Sequence, residues 1–321
     1  MPLSFEKPPG TKDILPEKVK LIQNVINSAK ELAQDWGYQE IVTPIIEYQE
    51  TVGLYSKIDE EKLIKFLDFS GKTVILRPEF TTPIARFVSS VYKDVDFPIR
   101  LMCQGHVYRN LGNKGIQEIN QLDVELIGVK DLEADAEVIA LAVKIIAKVI
   151  QTNFKVAIGH TQFLKVLLEE TNCPSKEQNH LYKSLLNNDY VNYKNIVNSL
   201  DIVDKYKNYL LQVLKLRGGL DNILGAKDWF KTSQWQEVFR DFLNLWEKIS
   251  SYQIQKNVGL DLALVGSQNY YTGVIFKIYC EGSPAPVCTG GRYDGLLSSF
   301  GRPAPATGFA INIEDLITLV G

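Results

Sequence analysis

Four residues stand out for the chemistry they could do together: Glu79, Arg109, Gln121 and Glu125. Carboxylates take an ammonium or a ring N–H, and an arginine takes a carboxylate through two parallel hydrogen bonds. Such a set suits one small zwitterion. Most of it lies in a stretch that reads as strand, loop, strand: Ile99 to Gln104, a break at Asn110 to Gly115, then Ile119 to Ile127. In the second strand Leu122, Val124 and Leu126 alternate with Gln121, Asp123 and Glu125, so the polar set shares one face. Glu79 stands in Leu76-Arg-Pro-Glu-Phe-Thr81, where a strand turns into a helix. The same alternation also fits a sheet with one wet face, as antiparallel sheets often have. Spacing alone leaves both readings open.

The elements that must position these residues are legible from periodicity. After an extended, Pro/Gly-rich start over 1–15, apolar residues from Val19 to Trp36 recur at helical spacing, so 17–36 forms an amphipathic helix closed by Gly37. Residues 38–44 read as a strand stopped by Pro44. Lys65 to Phe69 and Thr73 to Leu76 form a hairpin, and Thr82-Pro83 opens a helix to about Tyr92. A long helix runs from Asp135 to Ile150, followed by a short strand from Phe154 to Ile158. From His160 to Gln253 the texture is helical, with many Asn, Lys and Tyr. Strands resume at Val258 to Val265, Val274 to Cys280 and Pro305 to Asn312. The expected organisation is an α+β core in two parts, 1–159 and 254–321, interrupted by a helical insertion over 160–253.

Other stretches carry weaker chemical signals. Gly290-Gly-Arg-Tyr-Asp-Gly295 reads as a turn that opens a helix, either a phosphate cradle or a tight turn with Asp294 as the cap. It matches neither G-x-G-x-x-G nor the P-loop, and no cofactor is predicted. Tyr270-Tyr271 at a strand start reads as packing. His106, His160 and His180 have no partner at catalytic or metal spacing, so no catalytic residue and no metal are predicted.

Composition narrows the class further. The 321 residues are 45% hydrophobic and 23% charged, with net charge −3, as in globular proteins without a polyanionic partner. Cys103, Cys173, Cys280 and Cys288 are too dispersed for a disulfide frame or zinc site and read as reduced thiols. The N-terminus lacks an apolar signal core, and Lys144 and Lys148 interrupt the most apolar helix. A cytoplasmic protein with no membrane contact is expected.

Seven motifs together resemble one family. Gly10-Thr-Lys-Asp-Ile-Leu-Pro16, Leu76-Arg-Pro-Glu79, Tyr108-Arg109, Gln121 to Gly128, Tyr270-Tyr-Thr-Gly273, Gly290 to Gly295 and Gly308-Phe-Ala310 occur in the order found in the catalytic core of histidyl-tRNA synthetases. The resemblance covers nearly the whole chain and is loose only in the helical insertion. It implies a class II aminoacyl-tRNA synthetase-like antiparallel sheet flanked by helices, with the first helix and the strand ending at Pro44 as the dimer-forming motif. The family's histidine contacts fall on Glu79, Thr81, Arg109, Gln121, Glu125, Tyr271 and Tyr293, each of matching type.

The departures from that pattern point away from a synthetase. Gly115-Ile-Gln-Glu118 stands where the family carries ATP-holding arginines, Asp315 where an arginine covers the nucleotide, and Gly266 where an arginine serves activation. The chain ends at Gly321, without an anticodon-binding domain, and tRNA is not an expected partner. Each lost guanidinium removes a charge-assisted contact of roughly 1.5–3 kcal/mol, and Glu118 and Asp315 add repulsion. A chain that keeps a histidine pocket without ATP chemistry resembles the regulatory subunits of ATP phosphoribosyltransferase. That likeness implies no active site of its own, a short-form catalytic subunit as partner in the first step of histidine biosynthesis, a hetero-octamer built on dimers, and histidine as feedback effector. The alternatives are a histidine or uncharged-tRNA sensor for another partner, and a truncated synthetase.

Overall fold

In the computed structural model, which describes residues 5–266 and 270–320, the chain opens with α1 (Pro16–Asp35). Pro16 sits in the first turn, where its missing N–H has no partner to lose, and Ile22, Val25, Ile26, Ala29 and Ala33 bury one stripe. Gly37, at φ +85°, then turns the chain out of the helix, a conformation that suits glycine. The strand expected over 38–44 is cut short. Only β1 (Gln39–Glu40) pairs, and β2 (Ile46–Tyr48) follows after an irregular stretch. The physical reason is at Thr43-Pro44: Pro44 has no N–H, and the Arg77 guanidinium takes the Thr43 carbonyl at 2.7 Å.

β3 (Lys65–Leu67) and β4 (Thr73–Leu76) make the expected hairpin, its turn held by Asp68, which accepts from the Ser70 and Lys72 amides. Strands β2, β4 and β3 form a small antiparallel sheet in that order. Next come α2 (Thr81–Ser90), the long pair β5 (Ile99–Asn110) and β6 (Ile116–Ile127), α3 (Glu133–Val149) and β7 (Phe154–His160). Helices α4 (Thr161–Glu170), α5 (Ser175–Leu186), α6 (Tyr190–Ser199) and α7 (Asp204–Val213) follow. After β8 (Arg217–Gly218), α8 (Leu220–Leu224) and α9 (Ser233–Ser251), the chain returns to the sheet with β9 (Val258–Asp261), β10 (Val274–Cys280), β11 (Cys288–Arg292) and β12 (Ala306–Asn312), then ends in α10 (Ile313–Ile317). Neither β8 nor α8 is visible in the sequence, because two and five residues are too short to display a period.

The main sheet has nine strands in the order β1-β5-β6-β12-β11-β10-β7-β9-β8. Its centre, β5 to β7, is antiparallel as expected, but β1 pairs with β5 and β9 with β7 in parallel. Parallel neighbours need a long crossover. Here the helices α4 to α9 provide one between β7 and β9. The apolar interior follows the same path: Val156 and Ile158 from β7 and Phe276 from β10 share one cluster with Phe163, Trp235 and Phe239 of the helical stretch.

The greatest departure from the sequence reading is at Gly290 to Gly295. Gly290 and Gly291 are strand residues within β11, and the helix expected to open here is only a four-residue 3-10 helix, Leu297–Phe300, which starts beyond Gly295. A neighbouring strand and a ring crowd here: a Cβ on Gly290 would lie 2.4 Å from the Gly308 carbonyl oxygen and 2.6 Å from the Phe276 ring. Asp294 caps no helix; its carboxylate accepts from the Ala306 amide at 3.1 Å and from Arg292 at 3.3 Å. The strand expected to reach Val265 ends at Asp261.

The two faces of the sheet are chemically distinct. Leu122, Val124 and Leu126 pack with α1 and α3 on one side, in the largest apolar cluster. On the other, Phe80, Ile84 and Val88 of the α2 region pack with Leu101, Val107 and Tyr293 in a smaller one. Among the described residues no helix is long and apolar enough to cross a membrane.

Candidate ligand site

On the α2 side of the sheet lies a cavity of about 50 Å³, lined by Glu79, Thr81, Arg109, Gln121, Glu125, Tyr271 and Tyr293. These are the seven residues singled out in the sequence, and they meet although they are spread over more than two hundred positions. The wet-face reading is therefore wrong for this face: Glu79, Asp123 and Glu125 are 4%, 2% and 1% exposed. The cavity also has residues the sequence reading passed over. Asp123, Tyr270, Thr289, Gly291, Gly308, Phe309 and Ala310 complete the lining. Asp123 had a signal, the same period of two that carried Gln121 and Glu125. The floor residues had none, because their contribution is to be small.

Strand register explains the floor. Glu125 on β6 lies opposite Gly308 on β12, which lies opposite Gly291 on β11. The next row is Asp123, Ala310 and Thr289. At Gly308 the requirement is absolute, since a Cβ there would fall 1.6 Å from Glu125 Oε2. The floor is low where the carboxylates rise. Two arrangements then hold the walls. Arg292, 6% exposed, reaches from β11 to Asp135 in the first turn of α3, its Nε 3.0 Å from Oδ2, and also donates to the carbonyls of Val129 and Asp131. That buried pair fixes the strand end from which Tyr293 projects. Tyr182 on α5 donates to the Gly266 carbonyl at 2.5 Å, bracing the segment that leads to the paired tyrosines. A side chain at 266 would press on the Tyr271 ring, its Cβ 2.8 Å away. Residues 267–269, which follow Gly266 in the departure noted above, lie outside the described residues.

The cavity sets three buried carboxyls beside an arginine. Glu79 accepts from the Thr82 amide at the start of α2, at 3.1 Å to each oxygen, a natural anion position at a helix N-terminus. Burial nevertheless raises its pKa, against the Thr81 and Thr82 groups and Arg109. Burial pushes Glu125 up to about 8, with Glu79 adding to the rise and the hydroxyls of Tyr293 and Thr81 opposing it. Tyr293 donates to Glu125 Oε2 at 2.5 Å. Asp123 is raised well above the carboxylate range by burial, then by Glu125 and Glu79. Burial and these neighbours also hold Tyr270 and Tyr293 well above the phenol range. Arg109 donates through Nε to the Pro78 carbonyl at 3.2 Å, and among the described residues it has no carboxylate at ion-pair distance. Its fork is free for an incoming carboxylate. Three buried carboxyls, faced by Arg109 and by an Arg77 already committed to backbone carbonyls, favour a ligand that brings positive charge and N–H donors.

The histidines do other work. His160 caps α4 through Nδ1, 3.2 Å from the Gln162 amide, with Nε2 3.4 Å from Asp241. Of the residues standing where a nucleotide site would need arginines, Glu118 lies half-buried on β6 beside Tyr108, and Asp315 accepts from the Asn312 side chain at 2.6 Å.

Comparison with known proteins places this architecture. The histidyl-tRNA synthetase family model matches residues 10–316. An ATP phosphoribosyltransferase regulatory subunit from Halalkalibacterium halodurans is 42% identical over 318 residues, 98% of this chain and 80% of that one. The chain belongs to the ATP phosphoribosyltransferase regulatory subunits of the histidyl-tRNA synthetase family. The subunit so named from Bacillus subtilis is 38% identical over 98% of this chain and 81% of its own length. A solved structure described as an ATP phosphoribosyltransferase regulatory subunit/histidyl-tRNA synthetase from Bacillus halodurans superposes with a TM-score of 0.94 at 41% identity, over 100% of this chain and 84% of that chain. A histidyl-tRNA synthetase from a Nostoc species, at 20% identity over 99% of this chain and 75% of that one, shares the fold with a TM-score of 0.86. The class II synthetase-like α+β fold expected from the motifs is the fold of the family.

Proposed function

We propose that this chain is a non-catalytic regulatory subunit that binds histidine in the cavity described above and transmits its level to a short-form ATP phosphoribosyltransferase catalytic chain, supporting that chain's activity and carrying feedback inhibition in the first step of histidine biosynthesis. The observation that carries the reading is the charge inventory of the cavity: Glu79, Asp123 and Glu125 are buried around it, with Arg109 unpaired at its edge. Glu79 would take the ammonium, Arg109 the carboxylate, and Glu125 with a tyrosine the imidazole, while Thr81, Gln121, Tyr271 and Tyr293 shape the walls. Glu118 and Asp315, at the places where ATP would need cations, repel a nucleotide bearing about four negative charges. They speak against a truncated synthetase.

Assembly has its own support. Val42, Ile46, Leu67 and Phe69, around β2 and the β3–β4 hairpin, are more than half exposed, with Phe69 fully so. Such a patch suits self-association, and a dimer is the expected building block of a hetero-octamer with the catalytic chain in the cytoplasm. We read the stretch 160–253 as an insertion between the two parts of the core; none of its residues lines the cavity. Histidine inhibits only if it binds the less active assembly more tightly.

Calorimetric titration of the chain with L-histidine, and separately with ATP, tests the reading. Histidine binding without ATP binding is expected, and Glu125→Ala should weaken histidine binding at least tenfold while leaving assembly with the catalytic chain intact. ATP binding, or histidine inhibition of the complex unchanged by Glu125→Ala, sinks the assignment.

A further inference from the structure

Asp123 is the buried carboxyl that the histidine reading leaves without a task. It is 2% exposed, and its Oδ1 has no hydrogen-bond partner among the described residues. An acceptor buried and left unpaired is costly, and one that lines a cavity is relieved by a ligand donor. Its surroundings offer no internal remedy. Glu125 shares its strand face, Glu79 stands across the cavity, Ala310 and Thr289 complete its row on β12 and β11, and the thiols of Cys103 and Cys288 and the phenol of Tyr271 lie nearby. Arg109 and Arg77 are the cations that face it, and Arg77 is committed to the carbonyls of His106 and Thr43.

The spacing of the carboxyls points to the shape of the donor. Asp123 and Glu125 are two residues apart on one face of β6, which sets their backbones about 6.6 Å apart. An imidazolium carries N–H donors on both sides of a small ring, and with a hydrogen bond of about 2.8 Å at each side it bridges such a gap. A neutral imidazole offers one donor; the proton that burial keeps on Asp123 becomes the second when it passes to the ring nitrogen, which leaves an imidazolium against a carboxylate.

We propose that Asp123 is a specificity-determining residue that, with Glu125, makes the site a reader of the doubly protonated histidine ring. The inference rests on the reading of the cavity as a histidine site. The two carboxyls hold the imidazolium between them, so the bound ring stays cationic well above the pH at which free histidine loses its ring proton. Isosteric side chains with one donor or none leave Asp123 unpaired and are rejected.

The test uses the full chain and L-histidine labelled with nitrogen-15 in the ring. In the wild-type complex at pH 7.5, both ring nitrogens should give the shifts of protonated nitrogens, and in the Asp123→Asn complex only one should. By calorimetry, Asp123→Asn should bind L-histidine at least tenfold more weakly than wild type. One of the two ring-N-methylhistidines should be bound equally by wild type and Asp123→Asn, within twofold, because its methyl group already removes the donor that Asp123 reads. Asp123→Ala repeats the comparison without the amide, and thermal unfolding confirms that each variant is folded. A neutral ring in the wild-type complex overturns the proposal, as does an equal loss of affinity for histidine and both methyl isomers. Failure of the wild-type chain to bind L-histidine at all overturns the histidine reading itself, and this inference with it.

Discussion

The two faces of β6 are built on opposite terms. Leu122, Val124 and Leu126 are buried against α1 and α3 with nothing left to satisfy. Gln121, Asp123 and Glu125, between them in the chain, face a cavity in which Asp123 and Glu125 are as deeply buried; Tyr293 donates to Glu125, but Asp123 Oδ1 lacks a partner to offset the loss of water. One face stabilises the sheet, and the other draws on that stability to hold carboxyls where water would otherwise be. The comparison shows how a sheet supports a charged site: the apolar face and the Arg292–Asp135 pair keep the strands in register behind the cavity. Sites held this way are stabilised by their ligand.

Three substitutions sharpen that contrast, taken from the largest expected effect downward. Leu122→Ala, on the apolar face, should lower the free energy of unfolding by about 2–5 kcal/mol in a denaturant titration, through lost burial and the cavity left behind. A loss below about 1 kcal/mol would mean that this face is not the support described here. Gly308→Ala, on the cavity floor, should cost about 1–3 kcal/mol from overpacking. Unlike Leu122→Ala, it should also abolish histidine binding, because the new methyl group occupies the place of Glu125 Oε2. Retained binding would show that the floor can yield.

The smallest effect, and the most diagnostic, is the pH dependence of the ligand-free chain. Glu125 is pushed to about 8 from an ordinary value of 4.5, so between those limits the folded chain holds a proton that the unfolded chain has released. Stability therefore falls as pH rises through that window and levels off above it. Glu79 and Asp123, also raised, act in the same direction. Glu125→Gln cannot ionise, so its melting temperature should gain on wild type between pH 5 and pH 8, read by thermal unfolding in matched buffers. A constant difference across that range would mean that Glu125 titrates as an ordinary surface carboxylate. A saturating cationic ligand should flatten the wild-type profile too.

Much of the cavity was legible because its polar members recur with a period of two on one strand and because Glu79 and Arg109 are types with few other uses in such positions. Asp123 shares the pattern, but nothing in the order of residues says that its face is buried. Gly291, Gly308 and Ala310 stood in recognisable motifs, but their place on the cavity floor, like that of Thr289, was hidden for a different reason. Small residues signal only through what lies opposite them, and that depends on the register of β11 and β12. The same register turned Gly290 and Gly291 from an expected turn into strand.

By itself the sequence determined the alternation of β6, the helices with a clear 3.6-residue stripe, and the residue types able to hold a zwitterion, because these depend on neighbours in the chain. Only the tertiary structure decided that Glu79, Arg109, Gln121, Glu125, Tyr271 and Tyr293 converge, that β1 and β9 join the sheet in parallel, and that Arg292 is held by Asp135 from 157 residues away. Those outcomes depend on strand pairing and on the exclusion of water from between packed surfaces, which act across distances along the chain that no local pattern records.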